Sequence, residues 1–156
     1  MEIEYIKGDA TSPGAEGNKI IVHVCNDIGG WGKGFVNAIS AKWSEPEKQY
    51  REWHRSGNGF ALGQVQFVKV KEDIWVANMI GQRDIKRSKE GPAPVRYEAI
   101  DEALDRVQIF ASQIQASVHM PRIGCGLAGG SWDKMETIVK QRLTDREISV
   151  TVYDFE

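Results

Sequence analysis

Little in the composition leans to one side. Basic and acidic residues nearly cancel, 20 against 22, leaving a net charge of −2. Such a chain has no broad positive surface for nucleic acid or anionic lipid, so any phosphate must be held by local geometry, backbone N–H groups above all. Cysteine is almost absent. The two thiols, Cys25 and Cys125, make no disulfide framework, and no Cys-x-x-Cys pair suggests zinc. No hydrophobic run approaches the ~20 residues that cross a bilayer. Met1-Glu2-Ile3-Glu4-Tyr5 has neither the basic start nor the apolar stretch of a secretory leader. These absences lead us to expect no membrane, no direct nucleic-acid partner, no metal and no cofactor. They also lead us to expect a cytoplasmic, monomeric protein with reduced thiols.

What is present suits one α/β domain over residues 1–156, with 41% hydrophobic residues for its core. Residues 2–7 alternate polar and apolar, which predicts a half-buried strand. Lys19 to Val24 is a β-branched run for a central strand. Helical spacing follows from Phe35 to Trp43, and Pro46 opens a further helix through Trp53. Gln64–Val70 and Ile74–Met79 read as a hairpin. Residues 81–94, with the basic cluster Lys86-Arg87-Ser88-Lys89, read as a solvated, mobile surface loop. Ile100, Ala103, Leu104, Val107 and Ala111 mark a helix over 95–115. Ser117–Met120 is a short strand, Ser131 caps a helix running to Leu143, and Ile148–Tyr153 closes as a strand. Alternating strands and helices with one hairpin predict a mixed sheet covered on both faces.

Two segments share a design of strand, glycine-rich loop, then helix. The first is Cys25-Asn26-Asp27-Ile28-Gly29-Gly30-Trp31-Gly32-Lys33-Gly34, and the second is Ile123-Gly124-Cys125-Gly126-Leu127-Ala128-Gly129-Gly130. Glycine lets the backbone approach closely, free N–H groups point outward, and a helix dipole adds positive potential. Two such loops suggest two neighbouring anionic groups, as in a diphosphate; both could also be plain turns. Gly34 follows Lys33 where a Walker A loop needs Ser or Thr for magnesium. Gly124-x-Gly126-x-x-Gly129 matches the dinucleotide fingerprint, but one strand alone is expected after it, and the rest of a Rossmann half is missing.

Single residues carry paired readings. Asp9 is a turn former or an acceptor for an exocyclic amine. His23, alone in an apolar strand, reads as a satisfied core histidine. Asn26 and Asp27 cap the loop or orient a water or ribose hydroxyl. Cys25 and Cys125 read as small buried packers, since no base is evident beside either. Tyr153 and Phe155 stack on a base or pack at the end of the strand. Trp31 covers a ligand or plugs the loop down.

At these residues the sequence resembles the macrodomain family nearly end to end. The resemblance starts at Tyr5-Ile6-Lys7-Gly8-Asp9 and continues through His23-Val24-Cys25-Asn26 into Gly30-Trp31-Gly32-Lys33-Gly34, Leu62-Gly63 and Arg96-Tyr97. Met120-Pro121-Arg122-Ile123-Gly124-Cys125-Gly126-Leu127-Ala128-Gly129-Gly130-Ser131-Trp132 is its strongest piece, and Val152-Tyr153 closes it. The nearest branch resembles ADP-ribose 1″-phosphate phosphatases and the hydrolases that remove ADP-ribose from glutamate or DNA. The resemblance implies a three-layer α/β/α macrodomain with a mixed sheet of about six strands. It implies that Asp9 meets the adenine amine beside Ala10, and that Gly124 to Gly129 wraps the diphosphate. Asn26 and the loop through Gly34 would hold the distal ribose, and Tyr153 or Phe155 would line the adenine pocket.

Gln82 and Ala128 align with the lysine and the aspartate of glycohydrolase members. Gln82 is no amine nucleophile, and Ala128 is no acid or base. Hydrolysis of a 1″-phosphate or an ADP-ribosyl ester by a positioned water remains, with Asn26 and Asp27 orienting it and His23 in support. A non-catalytic ADP-ribose-binding module is the alternative. A nicotinamide-dependent oxidoreductase, resting on the fingerprint alone, is the third reading.

Overall fold

The computed structural model of the chain describes residues 1–84 and 94–155. Its strands are β1 (Glu4–Lys7), β2 (Lys19–Asn26), β3 (Val65–Lys71), β4 (Ile74–Gln82), β5 (Ser117–Met120) and β6 (Val150–Asp154). Its helices are α1 (Phe35–Lys42), α2 (Glu45–Ser56), α3 (Tyr97–Ile114) and α4 (Trp132–Arg142). The six strands form one sheet in the order β1-β6-β5-β2-β4-β3. Every pairing is parallel except the β3–β4 hairpin.

The side-chain period of two sorts β2 between two cores. Ile20 and Val22 face a core with Ile100, Leu104 and Val107 of α3 and Met135 and Val139 of α4. Ile21 and Cys25 face the other, with Val36 and Ile39 of α1 and Tyr50 of α2. This gives helix, sheet and helix in three layers. Each buried Val, Leu or Ile side chain contributes about 1.5–3 kcal/mol, so α3, whose buried stripe sets Ile100, Leu104 and Val107 among Ala103 and Ala111, anchors its layer.

This topology builds a crevice. The chain leaves β2 for α1 on one face, and it leaves the neighbouring strand β5 for α4 on the other. Loops that diverge from adjacent parallel strands open a cleft beyond their carboxyl ends. The two glycine-rich stretches are these loops.

Several local expectations are corrected. β1 is not half-buried: all four residues are exposed, because it is an edge strand. Ser131 stands at the N-cap of α4 without a side-chain cap bond among the described residues; its N–H donates to the Tyr97 hydroxyl at 2.8 Å instead. β6 starts at Val150 rather than Ile148, because a 3-10 turn at Thr144–Arg146 and a left-handed Glu147 occupy the approach. Of the loop expected over 81–94, residues 81 and 82 belong to β4, while 85–93, with the basic cluster, lie outside the described residues.

Candidate functional site

Two adjoining cavities occupy the crevice. The first, about 330 Å³, is walled by Asp9, Ala10, Gly34, Phe35, Tyr153 and Phe155, among others. The second, about 300 Å³, lies between Lys33-Gly34-Phe35-Val36 and Pro121 to Gly126 with Ala128; His23 and Gln82 also border it. Gly34, Phe35 and Pro121 belong to both, which makes one continuous cleft.

The first cavity is apolar with one carboxylate at its wall. Thr11 fixes that carboxylate, donating from N–H (2.8 Å) and from its hydroxyl (2.7 Å) to Asp9 Oδ1. Burial pushes the Asp9 pKa up, but the Thr11 bonds and nearby Lys42 outweigh it and hold it below the ordinary carboxylate value. Lys42 also ties this turn to α1, donating to the Thr11 carbonyl at 2.8 Å. Tyr153 is buried and Phe155 exposed.

The second cavity meets backbone. Gly34 is the N-cap of α1, whose first turn carries no acidic residue, whereas the first turns of α2, α3 and α4 each do. The positive end of α1 is therefore uncompensated by its own side chains, and Lys33 adds a cation beside it. Opposite, Gly126–Ala128 forms a 3-10 turn whose leading N–H groups, at Gly126 and Leu127, have no acceptor within the turn. A Cβ built on Gly34 or Gly126 meets nothing within 4 Å, and both have positive φ (83° and 67°). Gly124 and Gly130 are packing glycines instead: a Cβ there falls 2.4 Å from Met135 Cε and 2.3 Å from the Gly124 carbonyl oxygen, respectively.

Three expected roles move. Asn26 borders neither cavity. Its Oδ1 accepts from Ile28 N–H (3.1 Å), Gly30 N–H (2.9 Å) and the Tyr50 hydroxyl (2.9 Å), and its amide donates to the Gly30 carbonyl. It caps the loop, so it is not placed to orient a water. Asp27 reaches the exit of β4, where its Oδ1 accepts the Asp84 N–H at 2.8 Å. Trp31 is 7% exposed; its ring packs against His23 and Tyr50 and donates from Nε1 to Ser40 Oγ at 2.8 Å. It plugs the loop into the core and covers nothing in the cleft.

His23 is both a core residue and a neighbour of the cleft. Asn78 Nδ2 donates to the Pro46 carbonyl and to Gln66 Oε1, so its Oδ1 accepts from His23 Nε2–H at 2.6 Å. His23 Nδ1 then carries a buried lone pair with no partner among the described residues. Burial outweighs the Asn78 bond and lowers the pKa to about 4, so the ring is neutral at pH 7.

Cys25 is buried, and burial drives its thiol well above the ordinary range. Cys125 is not the buried packer expected; its turn leaves it half-buried at the second cavity, between Gly124 and Gly126. Gly30 and Gly32 complete the first loop without bordering the cleft, whereas Ile123 borders its second cavity. Gly129 closes the second loop, its N–H on the Gly126 carbonyl at 2.9 Å. Gln82 borders the cleft and donates to the Asp84 carbonyl. The residues around the fingerprint fold as this 3-10 turn and α4, with β6 alone to follow. The described residues hold no cluster of His, Cys, Asp and Glu fit for a metal, and no helix is long and apolar enough to cross a membrane.

No family model matches the chain. A macrodomain protein from Streptomyces coelicolor is 55% identical, with a TM-score of 0.88, over 98% of this chain and 99% of that one. The Chromodomain-helicase-DNA-binding protein 1-like of Danio rerio is 34% identical over 97% of this chain, and its Mus musculus counterpart 30%. The chain spans 15% and 18% of the length of those two relatives. An ADP-ribose 1″-phosphate phosphatase from Lodderomyces elongisporus is 26% identical over 99% of this chain and all of its own length.

Proposed function

The chain belongs to the macrodomain family, and from that premise we propose that it binds ADP-ribose and hydrolyses a derivative, ADP-ribose 1″-phosphate or an ADP-ribosyl ester. The observation that carries the reading is the continuous cleft: an apolar chamber with a fixed carboxylate opens into one lined by backbone, a helix N-terminus and a lysine. An adenine amine would donate to Asp9, with Ala10, Tyr153 and Phe155 around the ring. The diphosphate would lie between Lys33-Gly34-Phe35 and Gly124 to Ala128, where N–H groups and the dipole of α1 favour negative charge. The far ribose then falls beside His23 and Gln82.

In the hydrolytic step a water attacks the phosphorus of the 1″-phosphate, or the carbonyl carbon of the ester; the bond from that atom to the C1″ oxygen breaks, the 1″-hydroxyl leaves with the proton the water gives up, and the fixed N–H groups stabilise the developing charge. His23, neutral and buried beneath the cleft, supports the first loop. Asn26 and Asp27 act by shaping the first loop. Residues 1–156 are read as one macrodomain unit, acting as a cytoplasmic monomer.

A non-catalytic ADP-ribose-binding module is the second reading. Gln82 and Ala128 support it, since neither supplies an acid, base or amine, as does the engagement of Asn26 with its own loop.

Calorimetric titration with ADP-ribose tests the binding, and Asp9→Ala is expected to weaken it by about 1–3 kcal/mol. Unchanged affinity in that variant removes the adenine assignment. Release of phosphate from ADP-ribose 1″-phosphate, and of ADP-ribose from modified protein, tests turnover. Tight binding without either release leaves the module.

A further inference from the structure

The wall of the first cavity is held from behind. Tyr153 forms part of that wall, and its hydroxyl lies 2.7 Å from Nδ1 of His119, a buried residue on β5. His119 Nε2 lies 2.7 Å from Ser117 Oγ. Both imidazole nitrogens are thus engaged. Their strand neighbours Val118, Met120, Val150 and Val152 are apolar and buried. A phenylalanine at 153 would satisfy packing alone, so a hydroxyl and an imidazole placed together there fix orientation. Gly8 lies beside the same ring, with room for a Cβ 3.6 Å from Tyr153 Cδ2. The ring is held at its tip by His119. Burial foremost, with Lys19 nearby, lowers the His119 pKa to about 4, and the Tyr153 phenol is raised, so both partners stay neutral at physiological pH.

We propose that His119 is a positioning residue for the base-binding end of the cleft, setting the Tyr153 ring through its hydroxyl without touching the ligand. This rests on the ADP-ribose reading above. It assigns affinity for the nucleobase end to a residue on a strand that borders neither cavity.

The test uses the full chain, with ADP-ribose and ribose 5-phosphate as probes. His119→Phe keeps a ring but removes both hydrogen bonds. It is expected to raise the ADP-ribose Kd roughly three- to tenfold, the weight of one buried hydrogen bond. Tyr153→Phe, the milder change, does the same should His119→Phe fail to fold. The double variant binds no worse than the weaker single one, since one contact is being removed twice. His119→Asn, whose side-chain amide reaches the Nδ1 position, restores binding to within about twofold. Ribose 5-phosphate, which lacks the base, binds all variants alike. Wild-type affinity for ADP-ribose in Tyr153→Phe overturns the proposal, as does equal weakening for both probes, the mark of a general fold defect. Should the wild-type chain take no ADP-ribose, the functional reading itself fails and the proposal falls with it.

Discussion

The two loops that line the cleft are built in opposite ways. The first is held by side chains, its own and those of α1 and α2. Asn26 gathers two loop N–H groups and the Tyr50 hydroxyl, Arg51 reaches the Gly29 carbonyl at 3.2 Å, and Trp31 is anchored on Ser40. The second is held by main chain. Gly130 N–H bonds the Gly124 carbonyl at 2.7 Å, and Val95 N–H bonds the Ala128 carbonyl at 3.1 Å. Its Gly124 and Gly130 stand where a side chain would strike Met135 or the loop itself. Side-chain anchoring makes a loop sensitive to substitution of distant partners and to pH; main-chain anchoring makes it sensitive to any added Cβ.

The difference can be broken from either side. Asn26→Ala strips the acceptor from two loop N–H groups, while the Tyr50 hydroxyl keeps the backbone carbonyl at position 26 (2.7 Å), and should cost about 2–4 kcal/mol in urea unfolding. A cost near zero would mean that the first loop is not held by that carboxamide. Acidification comes next. His23, beneath the first loop, has a folded pKa of about 4 against an ordinary value of 6.5. Between these values the unfolded chain binds the proton and the folded chain does not, so stability falls as pH drops through that window. The slope is about 1.4 kcal/mol per pH unit for a group fully protonated only when unfolded. His119 contributes in the same direction, so His119→Asn should roughly halve the loss. Flat stability from pH 7 to 5 would contradict both burials.

For the second loop, Gly126→Val places a β-branched residue at φ 67° and points it into the cleft. We expect about 1–2 kcal/mol of destabilisation and loss of ADP-ribose binding. A folded variant that still binds normally would remove this loop from the phosphate path. The smallest effect belongs to Tyr50→Phe, which removes one of the three donors at Asn26. It should cost about 1 kcal/mol and leave the second loop untouched, as amide exchange at Gly129 and Gly130 would report.

The second loop was the more legible of the two in the sequence. Its order is local, and glycines at close spacing announce a main-chain turn. Likewise the sequence marks Ser117–Met120 with the bounds that β5 adopts. The first loop showed its glycines but not its supports. Tyr50, Arg51 and Ser40 lie on helices, and no local pattern says which helical hydroxyl or guanidinium will face a turn. Asn26 and Trp31 were therefore open between ligand and loop, and folding placed them with the loop. His119 was missed for a related reason. A polar residue every second position in β5 signals a face, but its pairing with Tyr153 arises only once β6 lies alongside. Residue type predicts a buried Cys125, whereas its turn leaves it half-buried at the cleft.

The sheet also ends in two unlike margins. On one side β1 is four residues long, and on the other β3 carries exposed Lys69 and Lys71 with a register shift between them. Lys69 lays its ammonium 5.1 Å from the Trp75 ring centroid, covering apolar surface with charge. A neighbouring strand finds too few main-chain groups at the first margin and a kinked, positively charged row at the second. Stacking of copies edge to edge into filaments is thereby discouraged, and the cleft, opening at the strand ends rather than the margins, stays clear of any such contact.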